Sequence, residues 1–180
     1  QGHSARARIT NHHTNLVYLE RDGEVLREFP VVDAAEERMT DKSCLNVEDI
    51  LRFADTVPLE KVEDVLLRQI EMNSAIAEEG LRGAWGAQIG RILMEDYGSD
   101  LKQQAKAYAA AGSDARMSGC ELPVVILSGS GNQGITACMP VVTYAKQIGA
   151  TKEQLCRALI VSDLVTVLQK NGIGRLSAYC

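Results

Sequence analysis

Three glycines fall within seven residues in the stretch Ser128-Gly129-Ser130-Gly131-Asn132-Gln133-Gly134. The stretch follows an apolar run, residues 122–127, and precedes a long apolar segment that begins at Ile135. Glycine permits positive φ angles and lets the backbone approach a ligand closely. A helix that begins near Asn132 would direct its unpaired N–H groups and the positive end of its dipole at this loop. The stretch therefore predicts either an anion site, for a carboxylate or phosphate, or a tight turn between two buried elements.

The two common nucleotide-binding motifs are absent from this loop. It lacks the Gly-Lys-Ser/Thr ending of a P-loop, and it does not fit Gly-x-Gly-x-x-Gly. The bulk composition, 180 residues with 46% apolar and 24% charged side chains, is typical of one globular domain or a large piece of one. A net charge of -5 argues against nucleic acid or an anionic membrane as the main partner. The longest apolar run, residues 122–127, is too short to span a bilayer.

The chain ends and the cysteines set further expectations. Residues 1–3 resemble the remnant of a purification tag, so we exclude them, and the polar, basic start does not resemble a signal peptide. The five cysteines are odd in number and form no Cys-x-x-Cys pair, which favours free thiols in a reducing cytoplasm. The last residue, Cys180, directly follows an apolar-patterned segment. We therefore expect a fragment, with residues 4–180 forming a single domain or part of a catalytic domain.

The N-terminal part predicts a β-hairpin over residues 8–29. Apolar residues alternate there, and Asp22-Gly23 is a strong type I′ turn signal between two strands. His12 and His13 open the first strand and point to opposite faces, so at most one faces any given site. We expect His12 to be exposed. His13 either contacts a substrate or caps the entry to the strand.

Helical periodicity dominates from residue 46 onward. We expect a short helix capped by Asn46, a long helix over residues 59–79 that stops at Gly80, and close packing of small residues between Gly83 and Gly90. Further helices are predicted over residues 100–119, 135–148 and 151–170, with a kink or a restart at Pro140 and a capping box of Thr151 and Gln154. The fold class is therefore α+β and helix-dominated: an N-terminal β-hairpin, then a bundle of about six helices with the glycine-rich loop at one helix N-terminus.

Two polar residues stand out within the helices. Asn73 interrupts the apolar face of the long helix, where an amide is costly unless it is hydrogen-bonded. It either satisfies neighbouring backbone or reaches into a polar cavity. Arg116 lies near the glycine-rich element and either clamps a carboxylate bidentately, or balances a helix C-terminus, or pairs with Asp114.

Five motifs occur in order along the chain. They are His13-Thr14-Asn15, Asn73 with Glu79-Gly80-Leu81, Asp114-Ala115-Arg116-Met117, residues 128–134 with Met139-Pro140-Val141-Val142, and Gly174-Arg175-Leu176-Ser177-Ala178 before Cys180. Together they resemble the serine dehydratase alpha-chain family, and more closely its L-cysteine desulfidase-like branch. The glycine-rich stretch is the most specific of them, and the hairpin match is the weakest. The resemblance covers nearly the whole chain, although family members extend beyond it at both ends.

This resemblance implies an iron–sulfur lyase that uses no pyridoxal phosphate. It places one ligand of a [4Fe-4S] cluster on Cys180, with the other ligands in segments that this sequence does not contain, so this chain alone would lack the cluster and be inactive. The implied reaction is β-elimination from L-cysteine or L-serine to pyruvate and ammonia, with sulfide from cysteine. His13 and, less strongly, Lys170 are the candidate bases. The implied substrate-binding residues are Asn73, Arg116, Ser128, Gly129, Ser130, Gly131, Asn132 and Gly134.

Two other interpretations of the sequence remain open. A small-molecule binding or regulatory domain would use the same anion loop without chemistry. A helical interaction module would use the glycines only for packing. We expect an amino-acid substrate and no nucleic-acid or membrane partner, while association into a homo-oligomer is left open.

Overall fold

The computed structural model describes residues 2–10, 15–31 and 41–173. It separates into two compact units, residues 1–41 and residues 42–180. The first unit contains a small antiparallel sheet and the second is helical. The predicted fold class, α+β with helix dominating, is confirmed.

Three strands form the sheet of the first unit in the order β1-β2-β3, with both pairs antiparallel: β1 (Ala5–Ile9), β2 (Leu16–Arg21) and β3 (Glu24–Glu28). The turn between β2 and β3 has positive φ at both Asp22 (53°) and Gly23 (85°), the geometry of the predicted type I′ turn. The hairpin prediction did not resolve β1 as a separate strand. Its alternation of alanine with arginine is a weak strand signal, because alanine is depleted in strands. His12 and His13 lie outside the described residues.

The described part of the second unit contains six α-helices and one short 3₁₀ turn. Their bounds are α1 (Val47–Thr56), the 3₁₀ turn (Leu59–Lys61), α2 (Glu63–Arg82), α3 (Ile89–Tyr97), α4 (Leu101–Met117), α5 (Gly131–Gln147) and α6 (Lys152–Lys170). Two predicted caps are present. The Asn46 side chain accepts a hydrogen bond from the Asp49 N–H, and Thr151 forms the capping box with Gln154.

The prediction that the long helix stops at Gly80 is wrong. Residues 59–61 form the separate 3₁₀ turn, and α2 runs past Gly80 to Arg82, where the N–H of Gly83 closes it on the Glu79 carbonyl. Gly80 is buried instead against the backbone of Ala111 in α4, where an added Cβ would lie under 3.0 Å from the carbonyl. The glycine serves a helix–helix contact rather than a helix end.

Small residues let α4 pack closely against three neighbouring helices. Gly90 of α3 lies on Ala107 and Ala111, and Gly112 of α4 lies on Ala77 of α2 and Ile135 of α5. The predicted close packing is therefore confirmed for Gly90. Gly83 and Gly86 lie between α2 and α3 rather than inside a helix.

Helices α5 and α6 are consecutive and antiparallel. The Ser162 hydroxyl donates a hydrogen bond to the Ala137 carbonyl (2.8 Å), while Tyr144 near the end of α5 and Leu155 near the start of α6 line one groove. Pro140 lies inside α5, which continues through it, so the predicted alternative of a helix restart is wrong. Because the pair is antiparallel, the end of α6 lies at the same end of the helical unit as the start of α5.

The core of the helical unit lies between α1, α2, α4, α5 and α6. Its largest fully buried side chains are Ile50, Asn73, Ile76, Ile135, Cys138, Met139, Cys156 and Leu159. Asn73 is the amide among them, and its environment bears on the candidate site.

Candidate functional site

The glycine-rich stretch forms a closed turn that leads directly into α5. Ser128 and Gly129 both take positive φ angles (47° and 84°), and Leu127 and Ser130 exchange two backbone hydrogen bonds of 3.0 Å. Ser130 is the N-cap residue, and its hydroxyl accepts a hydrogen bond from the Gln133 N–H (3.3 Å). The predicted helix start is confirmed, and the loop is at once a tight turn and a helix N-terminus.

The first turn of α5 presents donors that the turn itself does not use. Ser130 caps the N–H of Gln133 with its hydroxyl and the N–H of Gly134 with its carbonyl. Within the described residues, the N–H groups of Gly131 and Asn132 have no protein acceptor. Such N–H groups at the positive end of a helix dipole are suited to an anion.

The guanidinium of Arg116 lies over this helix start. It comes from the end of α4, and its Nη1 donates a hydrogen bond to the side-chain oxygen of Asn132 (3.1 Å). An added Cβ on Gly131 would lie under 3.0 Å from the Arg116 side chain, so only glycine leaves the guanidinium this position. The other guanidinium donors and the Asn132 amide hydrogens can then reach a ligand at the helix N-terminus.

Asn73 takes the first of its two predicted roles. Its Oδ1 accepts a hydrogen bond from the Val125 N–H (2.9 Å), and its Nδ2 donates one to the Val125 carbonyl (3.3 Å). The side chain is 0% exposed. Asn73 therefore satisfies the backbone of the segment that leads into the loop.

Asp114 does not pair with Arg116 in the way one alternative predicted. Its carboxylate accepts a hydrogen bond from the Ile89 N–H (3.0 Å) and so caps α3. The residue before Ile89 is Gln88, which has a positive φ (56°) and provides no side-chain cap of its own. An acceptor 25 residues away replaces the usual local cap.

Of the remaining predicted site residues, Lys170 lies in the part of the chain that the structure describes. Lys170 is the last residue of α6, is 2% exposed, and lies at the end of the helical unit that carries the loop. His13 and Cys180 lie outside the described residues. The structure thus brings Arg116, Asn132 and the loop together, joins Asn73 to them through Val125, and places Lys170 at the same end.

A buried polar cluster lies between α2, α5 and α6. Gln69, which is 2% exposed, donates a hydrogen bond to Asp163 (3.0 Å). Burial raises the pKa of the Asp163 carboxyl, and the Gln69 hydrogen bond partly opposes this rise. Burial, with a contribution from Asp163, raises the pKa of the Cys138 thiol to about 12. Gln69 and Cys138 are buried and Asp163 is half-buried, and the raised pKa of Asp163 predicts that the stability of the fold depends on pH.

Asp163→Asn is expected to increase the free energy of unfolding at pH 7. The folded chain holds the carboxyl proton to a higher pH than the unfolded chain, so this group's contribution to stability falls as pH rises from about 3.8 through the raised pKa. Asparagine keeps an acceptor for Gln69 and does not ionise. Urea unfolding from pH 4 to pH 8 should show the gain at neutral pH and its disappearance in acid. The exposed Asp64→Asn is the control, and equal gains for both variants would contradict the assignment.

The described residues do not fit an iron–sulfur cluster. Cys138 and Cys156 are buried thiols whose pKa values burial raises, whereas a cluster is held by thiolates. Among the residues that the structure describes, no group of three or more histidine, cysteine, aspartate or glutamate side chains could hold a metal ion.

Two contacts of the site were not predicted from the sequence. The partner of Asn73 is a backbone group, and side-chain type carries no signal for it. The cap from Asp114 to α3 depends on how α3 folds back onto α4, which periodicity alone does not give. The one usable signal was the polar Asn73 in an apolar stripe.

Comparison with known proteins assigns the family. The model of the serine dehydratase alpha chain family matches residues 13–180. The chain belongs to that family. This agrees with the resemblance of its motifs, and the glycine-rich stretch lies inside the match.

Several similar proteins carry the name UPF0597. One from Desulfitobacterium hafniense is 53% identical over 97% of this chain and 41% of its own length. Those from Lachnoclostridium phytofermentans and Treponema denticola are 48% and 45% identical, over 98% and 99% of this chain and 42% and 43% of their own lengths. The chain thus spans about two fifths of the length of these relatives. No solved structure matches it.

None of the helices in the described part of the chain combines the length and the apolar character that crossing a bilayer requires.

Proposed function

We propose that this chain supplies the carboxylate-binding part of the active site of an amino-acid lyase. The substrate is L-serine or L-cysteine, and the reaction is β-elimination. Family membership supports the reaction class, because the family is that of the serine dehydratase alpha chain. One observation carries the assignment of the site: the Arg116 guanidinium lies on Gly131 at the start of α5, where it is held by Asn132.

The proposed elimination proceeds through aminoacrylate. A base removes the proton from Cα, the Cα–H electron pair forms the Cα–Cβ double bond, and the Cβ–O or Cβ–S electron pair departs on oxygen or sulfur. The leaving hydroxide or hydrosulfide takes up one proton, equivalent to the one removed from Cα, so water or hydrogen sulfide departs and aminoacrylate remains. Aminoacrylate tautomerises to the imine, which takes up water and gives pyruvate and ammonia. No oxidant or reductant is consumed.

The role of the loop follows from charge and donor geometry. Both substrates carry a carboxylate next to the carbon that loses its proton. A fixed carboxylate, held by the N–H groups of Gly131 and Asn132 and by the Arg116 fork, would orient that carbon. The same donors would also stabilise negative charge that spreads into the carboxylate as the proton leaves. This makes the loop an orienting site rather than the source of the base.

The cluster implied by the family enters the proposal only through Cys180. That residue lies outside the described residues, and the described cysteines do not fit a cluster. We therefore assign no step to a cluster here, and the expectation of a [4Fe-4S] cluster in the intact protein stays a prediction.

The test uses the intact protein, of which this chain is a part, with L-serine and L-cysteine assayed side by side. Pyruvate formation from either one, with sulfide in the cysteine reaction, is the expected result. If the protein binds L-serine saturably but forms no pyruvate, even after anaerobic reconstitution of the cluster, the result would favour the alternative, a non-catalytic carboxylate-binding domain. Ethanolamine, which lacks the carboxylate, should not compete with L-serine. Equal competition by ethanolamine would count against the carboxylate site.

Arg116→Met is expected to weaken L-serine binding by about tenfold to a hundredfold, because a charge-assisted hydrogen bond contributes about 1.5–3 kcal/mol. Arg116→Lys keeps the charge but loses the planar fork, so its loss should be intermediate. Calorimetric titration of the intact protein measures both. The exposed Arg68→Met on α2 is the control, and an equal loss in that variant would show a general effect of charge.

A further inference from the structure

The segment that precedes the glycine loop is hydrogen-bonded by the Asn73 side chain. This side chain makes the backbone hydrogen bonds that a neighbouring strand would otherwise make. Residues 122–126 belong to no helix or strand in the described part of the chain. Both backbone groups of Val125 nevertheless have partners, since its N–H bonds to Asn73 Oδ1 (2.9 Å) and its carbonyl to Asn73 Nδ2 (3.3 Å). The amide of asparagine presents an acceptor and a donor side by side, as a strand backbone does.

Gly134 of α5 packs closely against the backbone of the same residue, Val125. An added Cβ on Gly134 would lie under 3.0 Å from the Val125 carbonyl oxygen and near Ile126 Cα. The Val125 peptide is therefore confined between the buried amide of α2 and the first turn of α5. We call these three residues, Asn73, Val125 and Gly134, the Val125 latch.

The latch lies next to the turn that forms the candidate site. Leu127, two residues after Val125, exchanges both its backbone hydrogen bonds with Ser130, the N-cap of α5. A shift of Val125 would move Leu127 and with it the turn that opens α5. The N–H groups of Gly131 and Asn132 lie immediately after that turn, within the same first turn of the helix.

Both polar atoms of Asn73 are engaged by Val125. The side chain is 0% exposed, its Oδ1 accepts a hydrogen bond from the Val125 N–H, and its Nδ2 donates one to the Val125 carbonyl. The resemblance implied that Asn73 binds the substrate, but these contacts favour an indirect role.

We propose that Asn73 is a positioning residue, which fixes the glycine loop through Val125 without touching the amino acid. As far as the ligand is concerned, this inference rests on the proposed function. The latch itself is independent of any ligand. Its geometry predicts that loop order and ligand affinity change together when the latch is broken.

The test compares Asn73→Ala with Gln69→Ala in the intact protein. Both remove a buried amide from the same face of α2, but Gln69 bonds Asp163 rather than the loop segment. Amide hydrogen exchange at Leu127 and Ser130, corrected for global stability, should speed up about tenfold or more in Asn73→Ala, since a buried hydrogen bond of about 1.4 kcal/mol corresponds to tenfold. L-serine affinity should fall by a similar factor. Neither quantity should change in Gln69→Ala.

A second variant disrupts the latch at Gly134. Gly134→Ala is expected to displace the Val125 carbonyl and to speed up amide hydrogen exchange at Leu127 and Ser130. Combined with Asn73→Ala, it should add little, because both changes act on one contact. If Asn73→Ala does not fold, Asn73→Asp keeps the side-chain size and the acceptor for Val125 N–H, and should still speed up loop exchange through loss of the donor.

Each outcome supports or overturns the inference. Unchanged exchange at Leu127 and Ser130 in the Asn73 variants would overturn it. Lost affinity with unchanged exchange would show instead that Asn73 contacts the amino acid. If the parent protein binds no L-serine, the proposed function fails, while the exchange data still decide whether Asn73 positions the loop.

Discussion

Gly80→Ala is expected to destabilise the helical unit by about 2 kcal/mol or more. In an exposed helix the same change would stabilise by about 1 kcal/mol, because alanine is the better helix former. Here the added Cβ would lie under 3.0 Å from two backbone atoms of Ala111, the carbonyl oxygen and the carbonyl carbon. Backbone atoms in the middle of α4 cannot move aside as a side-chain end can. Overpacking of this kind costs about 3 kcal/mol, which outweighs the gain in propensity.

Urea unfolding and thermal melts measure this effect. A loss of about 2 kcal/mol should lower Tm by about 4 °C or more in a chain of this length. Gly172→Ala is the matched control, since the nearest atom to its added Cβ is the Gln169 carbonyl oxygen at 3.8 Å. The free energy of unfolding of that variant should stay within about 0.5 kcal/mol of the parent value. A stabilised Gly80→Ala would show that α2 and α4 are not in close backbone contact.

Gly80 also shows where sequence reasoning reached its limit. A glycine near the end of an apolar periodic run is a standard helix-stop signal, and the prediction followed it. A glycine that permits close packing of two helices produces the same local pattern. The difference lies in Ala111, 31 residues further on, and local sequence contains no information about that neighbour. Helix starts with side-chain caps, such as those at Asn46 and Thr151, were predictable because the capping side chain and the backbone N–H that donates to it are three residues apart.

The candidate site was predictable for a related reason. The loop, Ser130 as a cap, and the helix that follows are contiguous in sequence, so glycine content and periodicity suffice to place them. Arg116 is 16 residues from Asn132, and α4 and α5 are consecutive helices, so its proximity could be anticipated. The contact of Asn73 with Val125 spans 52 residues and ends on a peptide group. The polarity of Asn73 could be noticed in the sequence, but its partner could not be named.

Lys170→Met is expected to lower kcat for pyruvate formation by about 10²- to 10⁴-fold, the range found when a general acid or base is removed. The elimination needs a base at Cα, one bond from the carboxylate that the loop is proposed to bind. Arg116 cannot serve, because a guanidinium does not deprotonate in proteins. Lys170 ends α6 at the same end of the helical unit as the loop, and its amine is buried. Methionine preserves the length and the apolar stem of the side chain.

Four further comparisons separate a base from a merely structural lysine. The exposed Lys146→Met on α5 should leave kcat unchanged. A structural role would lower Tm without a matching loss of kcat, whereas a base should lose kcat with L-serine affinity largely retained. Added primary amines should restore part of the activity of Lys170→Ala, because a small amine can enter the vacated space and accept the proton. If His13→Gln abolishes turnover while Lys170→Met keeps it, the base is His13, and Lys170 is left with a role in packing at the end of α6.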